Sequence, residues 1–137
     1  MNIFFRGKRV DNGEWVYGDL NNQLYGSFKR KQIVQHEKNG SFGYMVDPAT
    51  VGQYTGREDK KGKRIFKGDI LGCDNICKCS IHYLIEWNEK HCCFTSIELG
   101  LKEDIDEDIQ YHLMSNMRLD VCEIIGNIHD KERGCKE

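Results

Sequence analysis

The chain has 137 residues and a formal net charge of −2, with 31% charged and 10% aromatic residues. A chain of this length folds as one domain or two small lobes and buries roughly two-thirds of its surface, so it can form a core without metals or disulfides. It contains no apolar segment near the ~18 residues that span a bilayer, and its N-terminus lacks a signal peptide's apolar region, which predicts a cytoplasmic protein without membrane contact.

The charges are unevenly distributed along the chain. Residues 1–68 contain 13 Lys/Arg and 7 Asp/Glu, whereas residues 69–137 contain 7 and 15, which gives +6 and −8. A basic half is typical of proteins that bind nucleic acid, but two lobes or two subunits that attract each other show the same asymmetry. The second interpretation is favoured, because a dedicated nucleic-acid-binding domain is usually strongly basic overall.

A hairpin is predicted at the N-terminus. Ile3–Val10 and Trp15–Leu20 flank an Asn12-Gly13 pair, and Asn-Gly between apolar segments indicates a type I′ turn, which needs positive φ at both central residues. Trp15 and Tyr17 then share one face of the second strand. A core position for Trp15 is favoured over a ligand-stacking position.

Two further strands are predicted before residue 50. Phe28–His36 begins with Lys29-Arg30-Lys31, a run of three basic residues that is usually a solvated face but would contact phosphate if the protein binds nucleic acid. Tyr44–Val46 is a strand that ends at Asp47-Pro48, because proline lacks the amide donor that a central strand needs.

The densest turn chemistry lies in Val51–Leu71, where short apolar segments alternate with glycines and charges. Gly62 is placed for a turn, and Gly68-Asp69 is placed for a tight corner. Asp69 has no second carboxylate or histidine at a diagnostic spacing. Its carboxylate is therefore predicted to accept nearby backbone amides and fix the corner, in preference to a catalytic role.

The segment Val51–Leu71 resembles the central signature of the YopX family, small proteins found mainly in phages and prophages. The matching residues are Val51, Gly52, Gln53, Tyr54, Thr55, Gly56, Asp59, Gly62, Lys63, Ile65, Phe66, Gly68, Asp69 and Ile70. Phe5-Arg6 and Trp15–Leu20 are similar to the family's N-terminal hairpin. Ile85–Trp87 and Glu123–Ile128 are similar to its later strands. The match covers both ends and the centre of the chain, in the family's order.

The resemblance implies a mainly β protein of antiparallel hairpins that forms a single domain over residues 1–137. Within it, an N-terminal β layer over 1–66 precedes an SH3-like barrel or roll over 67–130, and 131–137 is a tail. The resemblance implies no reaction, catalytic residue or cofactor. The residues expected to shape the backbone as its structural motif are Gly52, Gln53, Thr55, Gly56, Asp59, Gly62, Gly68, Asp69, Gly126 and Asn127.

The seven cysteines are an odd number, which favours reduced thiols over a disulfide framework. The cysteines with zinc-like spacing are Cys73, Cys77, Cys79, Cys92 and Cys93, and His82 and His91 lie among them. Zinc takes such ligands in pairs two to four residues apart. Adjacent cysteines on a strand point to opposite faces, however, so core or adventitious thiols are favoured and no metal is predicted.

One short helix is predicted near residues 102–116. Leu101, Ile105, Ile109 and Leu113 recur every four residues, and acidic residues crowd the beginning, where the helix dipole favours negative charge. The acidic cluster lacks the spacing and central glycine of a calcium loop, so a solvated face is favoured over a cation site.

These patterns favour a non-enzymatic accessory protein of a phage or prophage that binds a protein partner or itself. The alternative is a nucleic-acid-binding protein that uses the basic N-terminal half. Its candidate contacts are Lys29, Arg30, Lys31, Lys60, Lys61, Lys63 and Arg64. A metal- or thiol-dependent enzyme is the third interpretation, disfavoured because the chain has no phosphate-binding loop, zinc-protease or nucleophile-elbow motif.

Overall fold

The computed structural model describes residues 3–25, 28–73, 81–99, 111–113 and 119–130. It is mainly β, as predicted, with strands in two antiparallel sheets. The chain divides into two compact units, residues 1–56 and 57–137. The division lies inside the signature segment Val51–Leu71. Within the described ranges, no helix is both long enough and apolar enough to cross a bilayer.

The first sheet has six strands in the order β4-β3-β2-β1-β5-β6. Its strands are β1 (Phe5–Lys8), β2 (Trp15–Tyr25), β3 (Phe28–Glu37), β4 (Gly40–Met45), β5 (Gly52–Glu58) and β6 (Arg64–Phe66). A 3-10 turn at Pro48–Thr50 connects β4 to β5, with the Asp47 side chain accepting a hydrogen bond from the Ala49 N–H. The proline therefore ends the preceding strand where the sequence predicted it.

The second sheet has five strands in the order β10-β9-β8-β7-β11. Its strands are β7 (Asp69–Cys73), β8 (Ile81–Asn88), β9 (Cys93–Glu98), β10 (Tyr111–Leu113) and β11 (Cys122–Asn127). A 3-10 turn at Leu119–Val121 leads into β11. The SH3-like form expected for this half stays a prediction.

Each unit has its own apolar core. In the first unit, Val16, Ile33 and Val46 are buried. The core residues of the second unit are Ile65, Leu71, Ile85, Leu119 and Cys122. Burial of these apolar side chains supplies the main favourable free energy of folding.

The N-terminal hairpin forms, but its turn differs from the prediction. Gly13 has a φ of 72°, whereas Cys92 is the only non-glycine residue with positive φ in the described ranges, so Asn12 does not adopt the type I′ conformation. The Arg9 N–H donates to the Glu14 carbonyl, and the Asn12 side chain accepts from the Glu14 N–H. The asparagine thus stabilises a longer loop through its side chain.

Trp15 is half-buried and does not belong to the apolar core, contrary to prediction. The Arg6 guanidinium lies 4.6 Å from the centre of its ring, and the Lys8 ammonium lies 5.5 Å from it. The alternation of β2 places Val16 on the core face, so Trp15 lies on the opposite face with the cationic side chains of β1.

The helix predicted near 102–116 lies mostly outside the described residues. Within that range, Tyr111–Leu113 form β10 and pair with β9 in antiparallel register, Tyr111 opposite Ile97. The prediction is wrong for these three residues. The four-residue apolar repeat is a local signal, and hydrogen bonding to an existing sheet overrides it.

Gly18 gives the first testable prediction. A Cβ at this position would clash with the Val34 carbonyl oxygen, so an alanine would force the backbones of β2 and β3 apart. We expect Gly18→Ala to lower the free energy of unfolding by about 2–3 kcal/mol or more, as overpacking does. Urea denaturation followed by circular dichroism measures this change.

Gly43→Ala is the matched control in the same sheet. A Cβ there would meet only the Gln32 side chain, at 3.2 Å, and that flexible side chain can move. Its effect should be smaller than about 0.5 kcal/mol, as for ordinary surface changes. Equal losses in the two variants would contradict the close approach of the two strands as the reason for Gly18.

Candidate functional site

The turn between β5 and β6 is built around the carboxylate of Asp59. One oxygen, Oδ1, accepts hydrogen bonds from the backbone N–H groups of Lys61 and Lys63, each at 2.9 Å. The Asp59 N–H donates to the Lys63 carbonyl, and Gly62 has a φ of 79°. This is a three-residue hairpin loop that ends with glycine in the left-handed region, which explains why the sequence has glycine there.

The other oxygen of Asp59 binds the outer edge of β11. Its Oδ2 accepts from the Ile124 N–H at 3.0 Å, and the Lys60 N–H donates to the Cys122 carbonyl at 2.9 Å. β11 is the last strand of its sheet, so these bonds satisfy backbone groups that would otherwise be exposed. The turn therefore protects a sheet edge.

The pKa of Asp59 is lowered by these contacts. Burial of the side chain, which is 6% exposed, raises the pKa. The three backbone N–H donors, from Ile124, Lys63 and Lys61, outweigh that effect, so the net shift is downward. A carboxylate that accepts several backbone hydrogen bonds is stabilised in its charged form. Asp59 is thus a structural anion whose carboxylate accepts backbone N–H groups.

Two lysines of the same turn converge on Glu123 in β11. The Lys61 Nζ lies 2.6 Å from Glu123 Oε1, and the Lys60 Nζ lies 3.7 Å from Oε2. The hydrogen bond to Glu123 raises the pKa of Lys61, and the same bond lowers the pKa of Glu123. We refer to Lys60, Lys61 and Glu123 as the lysine pair and its carboxylate.

The corner at Gly68-Asp69 is also a backbone structure. Asp69 is 1% exposed, and its Oδ2 accepts from the Phe66 N–H at 2.8 Å. Gly68 has a φ of 92°, donates its N–H to the Ile85 carbonyl and accepts from the Ile128 N–H. A carboxylate placed in this way fixes a turn. Sequence reasoning expected this bond from Asp69, but it had no signal for the connections of Gly68.

Asn127 ends β11 in a comparable way. Its Oδ1 accepts from the N–H groups of His129 and Asp130, and its Nδ2 donates to Asp130 Oδ2 at 2.6 Å. The register of β11 on β7 shifts between Ile124 and Gly126. The Gly126-Asn127 pair therefore lies between a strand irregularity and a closing turn.

The remaining motif residues lie in β5. Gly52 and Gln53 pair with β1, opposite Arg6 and Phe5. Thr55 is half-buried, and Gly56 has a φ of 86°. Gly52 and Gln53 thus take part in strand pairing, and Gly56 adopts a backbone conformation that favours glycine.

The predicted nucleic-acid contacts fall into two groups. Lys31 is half-buried in β3 of the first unit, and the side chains of Lys29 and Arg30 lie outside the described residues. In the second unit, the basic residues of the turn are exposed. They are Lys60, Lys61, Lys63 and Arg64. No sequence pattern indicated that Glu123, far along the chain, would form ion pairs with Lys60 and Lys61.

The predicted cysteine cluster is only partly described. Cys77 and Cys79 and the side chain of Cys73 lie outside the described residues. Cys92 and Cys93 are free, whereas Cys122 is bonded in a disulfide, so the expectation of reduced thiols throughout is wrong for that residue. Among the described residues, no group of three or more His, Cys, Asp or Glu side chains could hold a metal ion. Zinc binding by the full set stays untested.

A chain of hydrogen bonds that sequence reasoning missed links three strands of the first unit. The two ring nitrogens of His36 lie 2.7 Å from Asp19 Oδ2 and 2.7 Å from Ser41 Oγ. His36 lies 17 residues from Asp19 and five from Ser41, and the three residues share no motif. The Asp19 and His36 side chains are about 60% exposed, 61% and 62%, so they act in water, where such links are weak.

The fold and the site together define a small all-β protein whose acidic and glycine motif residues shape turns and protect a sheet edge. The family model described as YopX protein matches residues 4–133, so the chain belongs to the YopX family. None of the curated proteins matches significantly. A crystal structure of protein EF1440 from Enterococcus faecalis is similar, with a TM-score of 0.51, 20% identity and 96% of each chain covered. At this identity the likeness concerns the fold alone.

Asp59 gives the second testable prediction. Asp59→Ala leaves three backbone N–H groups without their acceptor and removes the charge-assisted bond to β11. We expect a loss of about 3 kcal/mol in the free energy of unfolding, measured by urea denaturation. Asp11→Ala is the control, because the Asp11 carboxylate is exposed and forms an ion pair with the nearby Arg9 side chain. A loss no larger than that of the control would argue against the role of Asp59.

The lowered pKa of Asp59 also predicts a pH dependence. Its contribution to stability is fully present above the pKa of the unfolded state, near 3.8, and disappears as the pH falls through the lower pKa of the folded state. The wild type should therefore lose more stability than Asp59→Asn between neutral pH and acid. Parallel pH titrations of the unfolding free energy would refute this if the two curves fell equally.

Proposed function

We propose that the chain is a non-enzymatic binding protein that a phage or prophage encodes. It works in the cytoplasm of the bacterial host and binds a protein partner or a second copy of itself. The observation that carries this proposal is an exposed tryptophan on a short, well-paired hairpin. The family membership supports the genomic setting, and the backbone role of the motif residues supports an absence of catalysis.

Trp87 is 43% exposed although it is the largest apolar side chain of β8. It pairs with Phe94 across β8 and β9, and the two rings meet edge-on with their centres 5.0 Å apart. An aromatic side chain held in this geometry loses little entropy when a partner covers it. Exposed aromatics of this kind are enriched among the residues that dominate protein interfaces.

Other exposed apolar side chains belong to the same unit. They are Leu99, Ile125 and Ile128, with exposures of 41%, 37% and 43%. Single exposed apolar residues are ordinary, so these add contact area but carry no argument alone. Trp87 is the anchor that the proposal depends on.

The third prediction concerns this tryptophan. The wild-type chain should show a mass above that of the monomer in light scattering, or should capture a discrete protein from bacteria that carry the phage or prophage. Trp87→Ala should abolish the association while leaving the melting temperature nearly unchanged. Phe42→Ala is the control, because Phe42 is 50% exposed and lies in the first unit.

Two results would count against the proposal. One is a monomer that captures no protein. The other is an association that survives Trp87→Ala as well as it survives Phe42→Ala, because the exposed tryptophan would then have no part in it.

Nucleic-acid binding is the second candidate function. The observation that favours it is the β5–β6 turn, in which exposed cations follow one another while the Asp59 carboxylate is buried. Lys60, Lys61 and Lys63 lie within four positions of this turn. Clustered cations of this kind supply phosphate contacts. A gel-shift titration with single- and double-stranded DNA and RNA tests it, and no shift at micromolar protein in low salt would remove it.

A further inference from the structure

The lysine pair and its carboxylate have the geometry of an anion site that is already occupied. Two ammonium groups meet separate oxygens of one carboxylate, at 2.6 Å for Lys61 and 3.7 Å for Lys60. A phosphate group presents its unesterified oxygens at a similar separation. A site that holds Glu123 in this way can therefore hold a phosphate in its place.

The backbone of the turn fixes where both lysines begin. The Lys60 N–H is bonded to the Cys122 carbonyl, and the Lys61 N–H is bonded to Asp59. The position of a Cβ at Gly62 has nothing within 4 Å, so a ligand can approach the backbone from that side. The Lys61 side chain is 58% exposed, and those of Lys60 and Glu123 are each 32% exposed. An anion from solvent can reach the pair.

We propose that Lys60 and Lys61 bind a backbone phosphate of a nucleic-acid strand and that Glu123 is the intramolecular competitor for them. The inference deepens the second candidate function and rests on it. On binding, the phosphate replaces the carboxylate at the two ammonium groups, and Glu123 turns into water. Glu123 therefore sets the affinity of the pair.

The composition of the turn selects a nucleic acid over an acidic peptide. Residues 57–64 expose several cations, the carboxylate of Glu58 and no apolar side chain, since Ile65 is the first apolar residue after the turn and is buried. Protein interfaces need an apolar centre, whereas a phosphate backbone needs only successive cations. Lys63 and Arg64 extend the row beyond the lysine pair, so a polymer with repeated charge gains more than a single phosphate does.

The test uses the full-length chain and fluorescence anisotropy at low and moderate salt. The probe is a labelled DNA or RNA single strand of about 20 nucleotides, and a duplex of the same length is tested beside it. This length exceeds the sites of about 4–16 nucleotides that single-strand-binding folds usually cover. The double variant Lys60→Gln/Lys61→Gln should weaken binding about tenfold. It should also reduce the slope of log Kd against log salt concentration by roughly one to two. Glu123→Gln should tighten binding about threefold, because the competitor is gone.

Lys90→Gln is the matched control. Lys90 is an exposed lysine in the turn between β8 and β9 of the same unit. The substitution therefore removes one positive charge at a site other than the lysine pair. It should leave binding within about twofold of the wild type, the loss of one distant surface charge being screened by salt. Melting curves of all variants separate loss of binding from loss of folding.

The outcomes are distinct. Tighter binding by Glu123→Gln together with weaker binding by the double lysine variant supports the proposal. Equal binding by all variants overturns the proposal that the lysine pair binds phosphate, but it is compatible with nucleic-acid binding elsewhere on the chain. No binding by either the wild type or Glu123→Gln overturns both. The role of Trp87 in protein binding is decided by its own variant in either case.

Discussion

The Asp59 carboxylate is the contact on which the second unit most depends. It closes its own turn through Lys61 and Lys63, and it binds the edge of a strand that lies 65 residues further along the chain. Strand edges are where sheets associate wrongly with other chains. One buried anion thus orders a hairpin and covers an edge. Its carboxylate accepts hydrogen bonds from backbone N–H groups inside the protein. The exposed charged side chains of the turn are therefore lysines.

The same logic extends along the signature segment. At Gly68 the backbone is in the left-handed region, and its N–H and carbonyl connect to β8 and to the end of β11. Asp69 beside it accepts a backbone N–H from Phe66. These residues looked chemically suggestive in the sequence, but their carboxylates are turned toward backbone donors. A carboxylate that is buried and accepts backbone hydrogen bonds in this way fixes the local turn.

Function therefore has to be sought on the surfaces that this framework holds. Trp87 is exposed on one hairpin, and the lysine pair lies on another. We propose a protein partner for the first surface and a polyanion for the second, since one offers an aromatic anchor and the other a row of cations. The two surfaces are in the same unit, and variants of Trp87 and of the lysine pair test the two proposals separately.

The sequence by itself determined the class of fold, the hairpins and most turn positions. Strands and turns follow from local signals, such as the alternation of apolar residues, Pro48 after β4 and Gly62 in its turn. Neighbouring residues alone determine these features. The sequence also indicated the YopX family, because a long ordered motif is a specific signal. It misjudged Tyr111–Leu113, where an apolar repeat suggested a helix and pairing with β9 produced a strand.

Only the tertiary structure decided which distant residues meet. Three contacts join separate parts of the chain: Asp59 with Ile124, Lys61 with Glu123, and His36 with Asp19. No spacing rule within one segment predicts them. The tertiary structure also decided the surroundings of Trp15. The sequence of β2 does not show which of its two faces meets the cationic side chains of Arg6 and Lys8 in β1. Sequence periodicity says which side chains share a face, whereas strand order and register decide what that face touches.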